Sequence, residues 1–168
     1  MRTTYLENAT LALATLVAGM MAGFFATYSF NVNLAMLRVD GATYATVQSL
    51  FNQHVRHAGF FACFFGGAAL PLLVLAANWK HRRTVPFWLV VAAGLLYGLG
   101  IVVYTANVNL PLNAYTESWN PQALPLDWRA TRDAWNQANT VRAAVAGGVF
   151  LLYLVAFTLR ASRPILRT

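Results

Sequence analysis

Five residues in the last third of the chain share a spacing that lines up polar chemistry. Trp128, Arg132, Trp135, Asn139 and Arg142 are 4, 3, 4 and 3 positions apart. On an α-helix that spacing makes one stripe. Asn139 and Arg142 fall where the chain turns apolar. A cation in such a place faces the bundle interior and needs a partner, and desolvated donors of this kind can hold an anion. His54 and His57, three apart, add imidazoles that work as general bases near neutral pH. As a metal signal the pair is weak. Zinc takes at least a third protein ligand, and Glu117 and Asp127 are distant in sequence, so neither metal nor cofactor is expected. Amides complete the set: Asn31 and Asn33, then Asn107, Asn109 and Asn113, at the depth of Asn139. Each group also has a structural reading. The stripe can be a buried polar network, the tryptophans interfacial anchors, the amides helix caps, and the histidines solvated at their tips.

The elements that must position these residues are apolar. The chain is 58% hydrophobic and 10% charged, against about 25% charged in soluble domains. Windows at about 9–36, 58–78, 85–107 and 138–160 are long enough to cross a bilayer as helices, and none contains Asp or Glu. The first is too long for a signal-peptide core and is expected to be retained. The expected fold is all-α and integral to the membrane: one domain over 1–168, a four-helix transmembrane bundle. A short interfacial helix is predicted at 41–57, with Val47, Leu50, His54 and His57 on one face. Asn107–Asn113 alternates polar and apolar residues around Pro111. That predicts an extended segment, a third span ending near Val108, and a loop over 114–126 in which Glu117 can reach the stripe. The fourth helix is predicted to start near Asp127 and stand above the membrane for its first three turns.

Gly19 and Gly23, and Gly94 and Gly98, are small residues four apart that let helices pack closely. Pro71 is expected to kink the second span. Cys63 is the sole cysteine and reads as a small apolar packing residue. The net charge of +7 is distributed as a topology signal. Arg2, Lys80, Arg82, Arg83, Arg160, Arg163 and Arg167 flank the spans on one side, which predicts cytoplasmic termini and an outward polar face. That basic edge suits membrane lipid, His81 within it reads as surface, and no nucleic-acid motif is present.

The stretch Ala22–Phe30, the segment Asn107–Asn113 and the run Trp128–Arg142 together resemble the anthrone-oxygenase-like family. This is a family of small four-span membrane proteins, largely of unknown function in bacteria, and the resemblance covers most of the chain. It implies the bacterial inner membrane and a cofactor-free oxygenase acting on a small aromatic, anthrone-like substrate. His54 or His57 would be the base. Asn109, Asn113, Asn139 and Arg142 would hold the developing oxyanion. Asn31, Trp128, Arg132 and Trp135 would contact the substrate, with Trp135 stacking on its rings. Fold does not fix function, so a second class stands beside this one: an accessory subunit docking other membrane-protein subunits through its polar face. A carrier is the third, disfavoured by the lack of inverted repeats.

Overall fold

The computed structural model describes residues 2–161; Arg163 and Arg167 lie outside the described residues. Four helical runs are long and apolar enough to cross a membrane: Tyr5–Met36, Ala58–Ala77, Val85–Glu117 and Trp128–Ala161. In lipid every backbone N–H and C=O must be satisfied within the protein, which leaves helices as the solution for such segments. The first run is α1 (Arg2–Thr27), a π-helical turn at Tyr28–Val32 and α2 (Asn33–Met36). α3 (Gly41–His54) follows, then α4 (Ala58–Ala77) and a short 3-10 turn at Trp79–His81. The third run comprises α5 (Val85–Tyr97), π-helical stretches at Gly98–Val103 and Thr105–Asn109, and α6 (Leu110–Glu117). α7 (Trp128–Ala161) closes the bundle.

α7 packs on α1 and α5, and α4 packs on both of those helices, so the four spans form a closed ring. Without a hydrophobic drive between helices in lipid, close approach by small residues supplies the attraction. Ala143, Ala146 and Ala156 form that surface on α7, against Leu11, Ala14, Ala18 and Met21 of α1 and Val90, Ala93 and Tyr97 of α5. Gly19 belongs to the same seam, since a Cβ there would lie 3.0 Å from the Phe150 ring. α7 is 34 residues long, roughly 50 Å at the usual rise. It therefore overshoots a hydrocarbon core of about 30 Å, and its Trp128 end stands beyond the apolar zone.

Gly67 makes the tightest of these contacts. A Cβ there would lie 2.6 Å from the Tyr97 hydroxyl. That hydroxyl cannot move freely, because it is buried and donates to the Phe64 carbonyl at 2.9 Å. Gly67→Ala is therefore expected to destabilise the bundle by about 1–3 kcal/mol. Thermal unfolding in detergent micelles would show it. An unchanged midpoint would mean that Tyr97 can swing aside without loss.

The third span departs from the sequence reading. Asn107–Asn113 is helical, not extended, and the run continues to Glu117 instead of ending near Val108. Pro111 sits in the first turn of α6, directly after a π-helical stretch. The widened turn leaves room for a ring that would clash with the carbonyl four residues back in a straight α-helix. An extended segment would also have left its backbone groups unpaired. The loop is thus shortened to the residues between α6 and α7.

α3 forms the roof of one end. Asp40 caps it, accepting from the Thr43 backbone N–H at 2.8 Å and the Thr43 hydroxyl at 3.1 Å. These bonds hold the Asp40 carboxyl below the usual carboxylate range. The buried face is Tyr44, Ala45, Gln48 and Asn52, not the predicted Val47, Leu50, His54 and His57. Leu50 and Phe51 remain exposed, as suits a helix lying in the lipid interface. Tyr44 and Ala45 join Met36 and Trp119 in a small apolar cluster, with Trp128 packed against it.

At the opposite end lies the basic edge. Here Glu7 is only 3% exposed, inside the first helical run and earlier than the predicted start of that span. Lys80 Nζ approaches it at 2.7 Å and His81 Nε2 at 3.2 Å, and Arg160 pairs with it as well. His81 is therefore a partly buried neighbour of the Glu7 carboxylate, not a bare surface residue. Arg160 also donates to Asn78 and to Asn8, tying α7, α1 and the α4–α5 turn together.

Candidate functional site

Between the roof and the bundle core lies a cavity of about 300 Å³, within the size range of small-molecule sites. Most of its wall is aromatic. From α4, Phe60 and Phe64 stack at 5.5 Å and Phe61 and Phe65 at 6.0 Å. Phe24 of α1 meets Phe60 at 5.4 Å. Tyr28 and Trp135 close another side, their rings 5.3 Å apart.

The polar wall comes from α7. Asn139 Nδ2 donates to the Ser29 hydroxyl at 2.9 Å and to the Phe25 carbonyl at 3.3 Å. Both acceptors lie where α1 gives way to its π-helical turn. With the amide nitrogen fixed this way, its oxygen accepts from Arg142 Nη2 at 2.7 Å. The Arg142 guanidinium also sits over the Phe25 ring, 4.7 Å from its centroid. Its Nε–H is buried and has no protein partner. No carboxylate lies within ion-pair distance of Arg142 among the described residues; Glu117, the predicted partner, pairs with Arg56 instead. A second fixed pair is Trp135 Nε1, donating to Asn113 Oδ1 at 2.7 Å. Thr105, which faces the cavity from the third span, has a buried hydroxyl without a protein partner.

Buried polar groups in native proteins are almost always paired, and a buried cation without a counter-ion is costly. Arg142 thus brings a guanidinium, with no carboxylate beside it among the described residues, to the wall of a largely aromatic cavity. The arrangement can bind a flat hydrophobic body between aromatic rings and hold one charged oxygen at Arg142.

The predicted site residues divide. Asn113, Trp135, Asn139 and Arg142 share the cavity. Asn109 lies one turn from both Thr105 and Asn113 but is wholly enclosed at 0% exposure, and neither of its amide atoms has a protein partner. Asn31 is exposed; Ser29 and Asn33 are the buried polar residues of that turn. Trp128 and Arg132 stand apart in the cap, with Arg132 over the Trp128 ring and paired with Asp133. His54 and His57 are exposed and do not line the cavity. His57 is instead the N-cap of α4, its Nδ1 accepting from the Phe60 N–H at 3.3 Å. Among the described residues, no three His, Cys, Asp or Glu side chains group closely enough to hold a metal ion. Ser29, Thr105 and the four phenylalanines of α4 were not singled out in the sequence. The i, i+4 pairs Phe60–Phe64 and Phe61–Phe65 were the available signal for the latter.

The sequence model of the anthrone oxygenase family matches residues 51–152, well over half of the chain. The chain belongs to the anthrone oxygenase family. No curated protein and no solved structure matches it. The matched region of this anthrone oxygenase family member takes in the α4 aromatics, Thr105, Asn113, Trp135, Asn139 and Arg142. It leaves out α1, which supplies Phe24, Tyr28 and the Ser29 acceptor.

Proposed function

We propose that the cavity binds a lipophilic aromatic ketone or phenol of the anthrone type as its anion, and that the bound anion is oxidised by O2 without a cofactor. The observation that carries this reading is the buried Arg142 guanidinium, without a carboxylate partner among the described residues and lining an aromatic cavity. An anthrone loses a proton from its central methylene to give an electron-rich enolate. Arg142 stabilises the enolate oxygen in a low-dielectric site, where such a contact is worth far more than in water. The enolate passes one electron to O2, and the radical pair combines to a peroxide at the former methylene carbon. Loss of water, with the remaining hydrogen of that carbon, leaves the quinone carbonyl. One anthrone and one O2 thus give one anthraquinone and one water.

Asn139 positions Arg142, and Trp135 and Tyr28 flank the rings. No His, Asp or Glu of the described residues lines the cavity, so in this reading the proton goes to solvent and not to His54 or His57. Purified protein in nanodiscs, supplied with an anthrone, should consume O2 and form anthraquinone in equal amounts above the uncatalysed rate. Protein that does neither, and instead copurifies stoichiometrically with another membrane protein, would favour the accessory-subunit reading.

The same reading sets the cavity end outward, because Lys80, Arg82 and Arg83 crowd the opposite end. In a Cys63→Ser background, an impermeant thiol reagent added outside cells should label Asn120→Cys and spare Arg82→Cys. The reverse pattern would invert the topology.

A further inference from the structure

The cavity's polar end is crossed by side-chain bonds. Asn52 of α3 donates from Nδ2 to the Thr116 hydroxyl of α6 at 3.2 Å, and Gln48 Nε2 supports Asn52 Oδ1 at 3.0 Å. Thr116 in turn donates to the Asn113 carbonyl at 3.0 Å. All of Gln48, Asn52 and Thr116 are buried. Outside them, Arg56 grips Glu117 through both guanidinium nitrogens, a fork geometry that fixes orientation as well as charge. These contacts lash the roof helix and the α3–α4 turn to the end of the third span.

The flank is built differently. α4 packs on α5, but it is not packed closely on the π-helical stretches and α6 that continue that span. The two walls separate toward the cavity end. Phe24 of α1 and, at the roof, Phe51 and Arg56 line the cavity and are partly exposed; at the slot between the walls the exposed lining residues are apolar: Phe61 and Phe65 on α4, and Leu110 on the other side. Phe65 is 55% exposed. All three lie within helical runs long and apolar enough to cross a membrane, and an exposed apolar face on such a run suits acyl chains.

We propose that the cavity is loaded sideways from the bilayer, through the slot between α4 and the 98–117 stretch, and not from water through the roof. The ligand class that follows is a membrane-partitioned amphiphile. It has an apolar body that passes between Phe65 and Leu110 and one ionisable oxygen that comes to rest on Arg142. The identity of that ionisable group rests on the function proposed above; the route does not.

The test uses Trp135, which lines the cavity wall. Full-length protein carrying Trp79→Phe and Trp88→Phe is placed in phospholipid vesicles, with a matched partner that also carries Trp135→Phe. The difference in emission reports Trp135 alone. A nitroxide-bearing hydrocarbon dissolved in the acyl phase should quench that difference several-fold more efficiently than aqueous acrylamide. A roof staple, Asn52→Cys with Thr116→Cys in a Cys63→Ser background, should leave the quenching unchanged when oxidised. Preferential quenching by acrylamide, quenching by neither probe, or loss of nitroxide quenching on oxidation that dithiothreitol reverses would each overturn the proposal. If the staple variant does not fold, the unstapled pair still decides between the two probes. Failure to bind or oxidise anthrones would remove the proposed reaction and leave this result standing.

Discussion

Arg142→Ala is expected to lower turnover of an anthrone by about 10²–10³, the range found when a donor to a developing oxyanion is removed. Among the described residues, Arg142 and Arg56 at the roof are the Arg, Lys or His side chains that line the cavity, and Arg56 is engaged by Glu117. Losing Arg142 therefore leaves the enolate oxygen among aromatic rings and neutral polar groups such as Asn139 and Thr105. Arg142→Lys should recover only part of the loss, because an ammonium keeps the charge but not the planar fork. The same substitutions are expected to cost little in stability. Among the described residues Arg142 has no carboxylate to orphan, and deleting a buried cation that lacks a counter-ion removes a desolvation burden. What is lost is its charge-assisted bond to Asn139, about 1.5–3 kcal/mol, and its contact over the Phe25 ring, which the relieved desolvation offsets. Arg142→Met, closer in volume, separates the two effects further, and should be inactive with an unchanged unfolding midpoint. The measurement is O2 uptake alongside binding of a hydroxyanthraquinone by fluorescence. A rate within threefold of wild type for Arg142→Met would take the anion away from Arg142.

Much of this site is legible in the sequence because a helix turns spacing into direction. The intervals from Trp128 to Arg142 place α7 within a residue of its observed start, and they put Trp135, Asn139 and Arg142 on the buried side. The apolar windows locate the four spans for the same reason: lipid leaves a long apolar segment no alternative to a helix. Legibility ends where the helical period changes. The π-helical turn at Tyr28–Val32 adds a residue to the turn, so Ser29 and Asn33 face inward and Asn31 faces out. The π-helical stretch before Pro111 likewise converts an apparent strand into the end of a span. Local composition does not announce such turns, since their stability comes from the packing of α7 against both stretches. Contacts across the chain are silent too. Asn52 and Thr116 are 64 positions apart, and neither residue type stands out alone. His57 looked like chemistry because imidazole is versatile, yet at the start of α4 its acceptor nitrogen satisfies a backbone N–H that lipid would leave bare.

Glu7 carries the second large effect, and it concerns stability. Its carboxylate is enclosed and gathers Lys80, His81 and Arg160 from the α4–α5 turn and the end of α7. Removing one member of a buried ionic group leaves the others desolvated without compensation, at about 3–5 kcal/mol. Lys80 is half exposed and can turn to water, whereas Arg160 is only 15% exposed and is held by Asn78 and Asn8. The cost of Glu7→Ala is accordingly placed near the lower bound, about 3 kcal/mol, because partly exposed partners recover some solvation. Glu7→Gln keeps an acceptor oxygen for Arg160 but no charge, and should fall between wild type and Glu7→Ala. The double variant Glu7→Ala with Arg160→Met removes the uncompensated guanidinium along with its partner. It should be more stable than Glu7→Ala alone, a reversal that simple loss of packing would not produce. Thermal unfolding in micelles of the four proteins forms the cycle. If Glu7→Ala and the double variant melt together, Arg160 does not depend on Glu7, and the basic end is held by its apolar contacts. Because this end lies across the bundle from Arg142, any of these variants that remains folded should oxidise an anthrone at the wild-type rate. One end of the four-helix ring thus gathers its cations around a carboxylate, while the other carries a buried guanidinium with no carboxylate beside it among the described residues.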